Sequence, residues 1–283
     1  MKIAIIGATG TIGSKVTTIL LDRGHHVTAI ARNPNSLQDR PGLEKRAADI
    51  FDFKQLRSAL AGHEALVVAF APKDNGYVGY KLLVEAAWRI KRTFKEVIPD
   101  AYFINIGGAS SLWTPNGFQM FEDPGWPHWF FNAAQPNHWA RLHQLTGGIP
   151  AFKEMAEQRA QILADSSKNP FSNFQGPVIE AFYEQCKEIF GKGMGGRAQL
   201  EYFECDRSFR WSFISPPWLL GQTETYGKYR VTIDTLPVED GHPAGIAVDD
   251  LALAIADTVA QQSRVHQHWS AARPAPPGVQ IGC

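Results

Sequence analysis

The spacing of apolar and polar positions changes along this chain, and each change marks an element. Residues 2–6 are a short β-branched apolar run, the pattern of a buried parallel strand. A helical period starts at Ile12, runs to Arg23 and stops at Gly24. Residues 26–31 and 44–48 predict a second and a third strand. Asp52 is placed to cap a helix that ends near Gly62. Residues 65–70 are almost unbroken apolar and predict a fourth strand. Residues 76–95 predict a long helix with apolar positions at Leu82, Leu83, Ala86, Ala87 and Ile90, followed by a fifth strand at 101–106. Strands that alternate with helices imply an α/β fold with a doubly wound parallel sheet and right-handed crossovers. Ligands of such sheets sit beyond the carboxyl ends of the strands.

The rhythm breaks after residue 106. Residues 110–148 carry Trp113, Phe118, Phe121, Trp126, Trp129, Phe130, Phe131 and Trp139 among many Pro, Asn and Gly. So many rings argue against disorder. The expectation is a lid or pocket wall, with a satellite hydrophobic cluster under a loop as the alternative. Helices are expected near 151–166 and 177–190, the second ended by the glycine cluster 191–196. Residues 211–215 predict a sixth strand stopped by Pro216 and Pro217. Residues 229–233 and 236–239 predict extended segments, 248–262 a helix opened by Asp249 and Asp250, and 266–271 a last strand. The Pro/Gly-rich tail 273–283 is expected to be loose. The organisation expected is a core at 1–112, an aromatic loop and helical insertion serving as substrate lid at 113–204, the last core strands and a substrate lobe at 205–272, and a flexible tail.

Composition narrows the function classes. The 283 residues are 44% hydrophobic, and 28 Lys+Arg balance 28 Asp+Glu. Nothing in that charge favours nucleic acid or an anionic membrane as partner. No apolar run reaches the roughly 18 residues of a membrane span. A strand at residue 2 leaves no room for a signal peptide, so the expectation is a cytoplasmic protein acting on a small molecule, with a homo-oligomer allowed. Cys186, Cys205 and Cys283 form no metal-ligand spacing and read as free thiols in a reducing compartment.

The candidate chemistry lies in Gly7-Ala8-Thr9-Gly10-Thr11-Ile12-Gly13, between a strand and a helix. Gly7 lets the chain turn off the strand. Gly10 leaves room for a pyrophosphate beside the backbone. Gly13 lets the helix pack close. The helix N-terminus offers free N–H groups and partial positive charge to phosphates.

This motif, with Ala31-Arg32-Asn33-Pro34, Asp49-Ile50, the run from Ile104 through Gly107, Gly108 and Ser111 to Leu112, and Trp211 to Pro217, resembles the NmrA-like, NAD(P)H-binding branch of the atypical short-chain dehydrogenases. Residues 226–230 and 248–254 are similar to that family's C-terminal part, and 167–204 reads as an insertion. The resemblance implies a Rossmann-type core with a small C-terminal substrate lobe. It implies an NADPH-dependent reductase of a small apolar or aromatic carbonyl, enone or quinone. The alternatives are a non-catalytic NAD(P) sensor and a non-redox isomerase or lyase on the same fold.

The implied cofactor lining is Gly7, Thr9, Gly10, Thr11, Ile12, Gly13, Arg32, Asp49, Ile50, Ala69, Phe70, Ala71, Gly107 and Gly108. The second strand ends in Arg32 with no carboxylate beside it, which favours the 2′-phosphate of NADP over the 2′-hydroxyl of NAD; Ser36 is a further donor. For proton transfer the candidates are rivals: Tyr183 with Lys187 four residues on, Lys153, Ser111 and His128. Tyr77 and Lys81 have the same spacing as Tyr183 and Lys187 but precede the fifth strand, on the wrong helix. Glycine stands where the family's serine is usual, at the fifth strand's exit. The substrate is expected against Ser110, Trp113, Trp126, Trp129, Phe130, Pro216 and Trp218. No metal site is expected.

Overall fold

The computed structural model describes residues 1–126, 131–132, 134–145, 148–169, 177–221 and 223–282. The apolar runs become β1 (Lys2–Ile6), β2 (His26–Ala31), β3 (Leu43–Ala47), β4 (Ala65–Val68), β5 (Tyr102–Ile106) and β6 (Arg210–Ile214). Shorter strands follow at β7 (Leu219–Leu220), β8 (Arg230–Ile233), β9 (Val238–Glu239), β10 (His242–Pro243) and β11 (Gly245–Ile246), then β12 (Gln267–Ala272) and β13 (Ile281–Gly282). The helices are α1 (Thr11–Asp22), α2 (Phe53–Leu60), α3 (Gly76–Val97), α4 (Pro136–Leu145), α5 (Pro150–Ala164), α6 (Pro177–Glu204) and α7 (Val248–Gln261). The main sheet runs β3-β2-β1-β4-β5-β6-β12-β8, parallel except for β8, which pairs antiparallel with β12. This is a Rossmann fold, with its order reversal between β1 and β4.

The central strands β2, β1, β4, β5, β6 and β12 bury both faces, as a sheet covered on both sides requires, while the edge strands β3 and β8 are only partly buried. Ile3, Ile5, Val27, Val67 and Ile104 pack with Val16 and Leu20 of α1 and Leu251, Ile255 and Val259 of α7. Ala4, Ile6, Leu66, Val68 and Phe103 face Leu56 of α2, Ile90 and Phe94 of α3, and Leu200 and Phe203 of α6. Asp52 caps α2 as expected, accepting from the amides of Lys54 and Gln55. Asp206 ties the end of the α6 side to α3: its carboxylate meets the ammonium groups of Lys91 and Lys95, each at 2.9 Å.

Three expectations are corrected. The glycine cluster does not end the second helix; α6 runs 28 residues straight through it. The glycines are spent on close packing. A Cβ on Gly191 would lie 2.9 Å from the Gly76 backbone, and one on Gly195 would lie 3.0 Å from the Tyr80 Cα. Helix α6 therefore lies hard against α3 and is the crossover between β5 and β6. The tail is also not wholly loose, because β13 pairs with β9. Finally, the aromatic segment is not one irregular loop. It holds α4, and Trp126, Phe131 and Trp139 join Phe152, Met155, Leu219 and Leu236 in a third core cluster, the arrangement of the satellite alternative.

Candidate functional site

A cleft of about 1040 Å³ opens at the carboxyl ends of the strands. The first βα turn forms its floor. Gly7 has φ +81°, and a Cβ there would lie 2.4 Å from the Ala69 carbonyl oxygen. A Cβ on Gly13 would lie 2.2 Å from the Gly7 carbonyl oxygen, so this glycine seats α1 on the turn rather than lining the cleft. A Cβ on Gly10 would meet only the Gly7 oxygen, at 3.2 Å, and otherwise points into free space. Gly10 is also the N-cap of α1 and provides no side-chain cap, so the first-turn N–H groups face the cleft without a capping oxygen. That cradle fits a pyrophosphate: backbone donors, a helix dipole and the space a side chain would fill.

Around the floor the structure gathers Thr9, Thr11, Ile12, Arg32, Asp49, Ile50, Ala69, Phe70, Ala71, Gly107 and Gly108, with Gly7 and Gly10. Arg32, exposed at the end of β2, and Asp49, after β3, mark one end of the cleft. Asp49 accepts the amide of Phe51 at 2.9 Å, and its own amide donates to Gln55. Gly107 and Gly108 at the exit of β5 mark the other end.

Sequence reasoning missed the residues that α6 brings to that second end. Lys192, Gly193, Gly196 and Gln199 line the cleft from a segment read as an insertion. The Lys192 ammonium donates to the Pro72 carbonyl, and its stem packs on Gly79. Burial lowers its pKa, while nearby Asp74 pulls the other way. Gln199 donates to the Leu83 carbonyl at 3.0 Å, and its buried Oε1 has no partner among the described residues. The available signal was the glycine spacing itself: Gly191 and Gly195, four apart on one helix face, mark a close helix contact.

The catalytic rivals are distributed elsewhere. Lys153 is exposed on α5 and lines no part of the cleft. Ser111 is fully buried and bonded to the Gly108 carbonyl, so it does not face the cleft. Tyr183 and Lys187 lie on α6 before Lys192; their side chains are outside the described residues, as are His128, Trp129 and Phe130. Among the substrate candidates, Ser110 is spent on the Gly193 carbonyl and ties the β5 exit to α6. Trp113 is 44% exposed at the surface. Trp126 is 1% exposed, with its ring between Phe121, Phe190 and Trp218. As a stacking wall Trp126 is therefore corrected, because its faces are taken by neighbouring rings. Pro216 is buried and Trp218 half-buried against the same rings.

Comparison with known proteins points the same way as the geometry. Residues 7–93 match the NAD(P)H-binding family. The sterol demethylase protein B of Methylococcus capsulatus is 31% identical over 139 residues, which are 44% of this chain and 42% of that one. The chain spans about half the length of the curated relatives it first matches. A Lactobacillus casei protein of solved structure superposes with TM-score 0.66 at 19% identity, covering 98% of this chain and all of that one. The oxidoreductase ylbE of Lactococcus lactis gives 0.61 at 14% identity, covering 97% and 92%. Fold, cradle and family match define a nicotinamide-dinucleotide-binding Rossmann protein. Within that class the family match is confined to residues 7–93, and over the rest of the chain the solved structures share the fold.

Proposed function

We propose that this chain is an NADPH-dependent reductase of a small apolar or aromatic carbonyl, enone or quinone. The observation that carries the reading is the cleft, which is lined by the phosphate cradle at Gly10, by Gly107 and Gly108 at the β5 exit, and by Lys192, whose ammonium is held on the Pro72 carbonyl. The first-turn amides of α1 would hold the pyrophosphate, and Asp49 and Ile50 would flank the adenine end. Arg32 makes no ion pair among the described residues, and no carboxylate follows it on β2, which supports selection of a 2′-phosphate. The bound nicotinamide would supply a hydride. Lys192 Nζ would give the proton to the substrate oxygen, a step that its burial eases by weakening its hold on that proton. The name of the Methylococcus relative, a sterol demethylase protein, supports a flat apolar substrate.

A sensor without turnover is the second reading. It is favoured by one observation: among the described residues, the cleft lining includes no tyrosine, serine or histidine. Steady NADPH oxidation against a panel of aromatic aldehydes, enones and quinones separates the two. Turnover that Lys192→Met reduces, with NADPH affinity kept, supports the reductase. NADPH binding with no turnover on any member supports the sensor. Arg32→Ala should weaken NADPH roughly tenfold or more, the worth of a charge-assisted hydrogen bond, and leave NADH nearly unchanged. Equal losses for both would remove Arg32 from the phosphate site.

A further inference from the structure

Behind Gly107 and Gly108, four side chains form a hydrogen-bonded row. The Ser111 hydroxyl lies 2.9 Å from the Gly108 carbonyl oxygen and 2.7 Å from Ser215 Oγ. Ser215 Oγ lies 2.9 Å from His268 Nε2, and His268 Nδ1 lies 3.1 Å from the Asp234 carboxylate. Ser111 and Ser215 are fully buried and His268 is 4% exposed, whereas the Asp234 side chain is half exposed, on a left-handed turn after β8. The sheet order assembles the row, because β5, β6, β12 and β8 are consecutive neighbours. Ser215, His268 and Asp234 have the connectivity of a nucleophilic triad. Ser215 is nevertheless sealed behind the cleft wall: a Cβ on Gly107 would lie 3.3 Å from its hydroxyl oxygen.

The row has four contacts and needs four protons. The two hydroxyls supply two. A charged imidazolium supplies the other two, and every contact is then made: Nδ1–H to Asp234, Nε2–H to Ser215, Ser215 to Ser111, and Ser111 to the Gly108 carbonyl. A neutral ring supplies only one. The Asp234 carboxylate accepts and cannot donate, so it takes that proton on Nδ1. Ser215 then donates to Nε2, and Ser111 is left with one proton for two acceptors, Ser215 and Gly108. An unmade bond inside this buried row is costly. Facing the ring are Asp234 from the turn after β8, Ser215 from the exit of β6, Ser111 from the exit of β5 (3.4 Å), and the Phe213 ring in a T-shaped contact. Asp234 is the only charged group in contact with it among the described residues.

We propose that Ser215, His268 and Asp234 are positioning residues for the cleft. Acting through Ser111, they hold the Gly108 carbonyl, and with it the Gly107–Gly108 wall, in one orientation while the ring is protonated. The consequence for ligand binding rests on the reading of the cleft as the dinucleotide site; the coupling of ring to wall does not. The test uses the whole chain. In ligand-free protein, the amide resonances of Gly108 and Ser111 should titrate with the His268 ring nitrogens, and in Ser215→Ala they should not. In Asp234→Asn, a change at a half-exposed position, the two amides should change together with the ring and not independently of it. NADPH affinity should fall roughly fivefold, about the worth of one hydrogen bond, as pH rises through the ring's midpoint, and in Asp234→Asn that profile should change with the ring as well. Amides that ignore the ring's titration in the native chain overturn the proposal. So does a Ser215→Ala or Asp234→Asn protein that is merely less stable, with the native amide and affinity profiles. If no dinucleotide binds at any pH while the amides still follow the ring, the coupling stands and the cofactor reading falls.

Discussion

Gly10 differs from the other two glycines of its turn because its Cβ position is nearly open. Gly10→Val should therefore give a folded protein that no longer binds NADPH, measured by fluorescence titration beside a thermal melt. Gly13→Ala should instead fail through the fold, because its Cβ meets the Gly7 carbonyl at 2.2 Å. Retained affinity in a folded Gly10→Val chain would place the phosphates elsewhere. A second single-residue effect lies in α4. His138 is 2% exposed, neither ring nitrogen has a hydrogen-bond partner among the described residues, and its pKa is pushed down to about 4 by burial and by the charge of Arg141. The folded state thus holds a neutral ring, while the unfolded chain takes up a proton near pH 6.5. That contribution to stability is complete above pH 6.5. It declines as pH falls toward about 4, by roughly 3 kcal/mol in all. His138→Phe should flatten the acid side of the stability curve; an unchanged slope in urea titrations would remove His138 as its cause. Neither Lys192 nor His138 was legible in the sequence as important, since each owes its environment to elements far along the chain.

At the scale of elements, the sequence pattern was most informative where burial is two-sided and periodic. The six strands from β1 to β6, the Asp52 cap and α7 lie within a residue or two of where hydrophobic spacing places them. It misled where glycine has two meanings. A cluster such as 191–196 breaks a helix in isolation, at a cost of about 1 kcal/mol per glycine relative to alanine. Here the missing side chains let α6 approach α3, and tertiary packing outweighs propensity. A substitution series separates the two effects. Gly191→Ala and Gly195→Ala should each destabilise by about 1–3 kcal/mol despite alanine's better helix propensity, because the new methyl meets the backbone of Gly76 or Tyr80. Gly196→Ala, whose Cβ would find its nearest neighbour at 3.5 Å, should be neutral or slightly stabilising. If all three stabilise alike, the helices are not held at this separation by glycine.

Across the whole molecule, the cofactor cleft and the aromatic lobe share a boundary, and Phe121 sits on it. Its ring lies 5.0 Å from Trp126 and 4.9 Å from Phe190, centroid to centroid, and a Cβ on Gly193 would lie 2.3 Å from it. Gly193 follows Lys192 on the cleft side of α6, so the lobe's core supports the end of the cleft where the chemistry is proposed. The sequence showed an excess of rings between β5 and α5 but not what they face, because a pocket wall and a small core have the same composition. Burial decides it for Trp126, and Trp126→Ala turns the difference into an experiment. As a core residue, its removal should cost about 3–5 kcal/mol, read as a lower urea midpoint. Because Arg32 and Asp49 lie at the far end of the cleft, the preference for NADPH over NADH should be unchanged. Any fall in turnover should be recovered by lowering the temperature, since it reflects a loosened support and not a lost contact. A Trp126→Ala protein of native stability whose KM for the aromatic substrate has risen would reverse this assignment, and would return Trp126 to the pocket wall that its sequence context suggested.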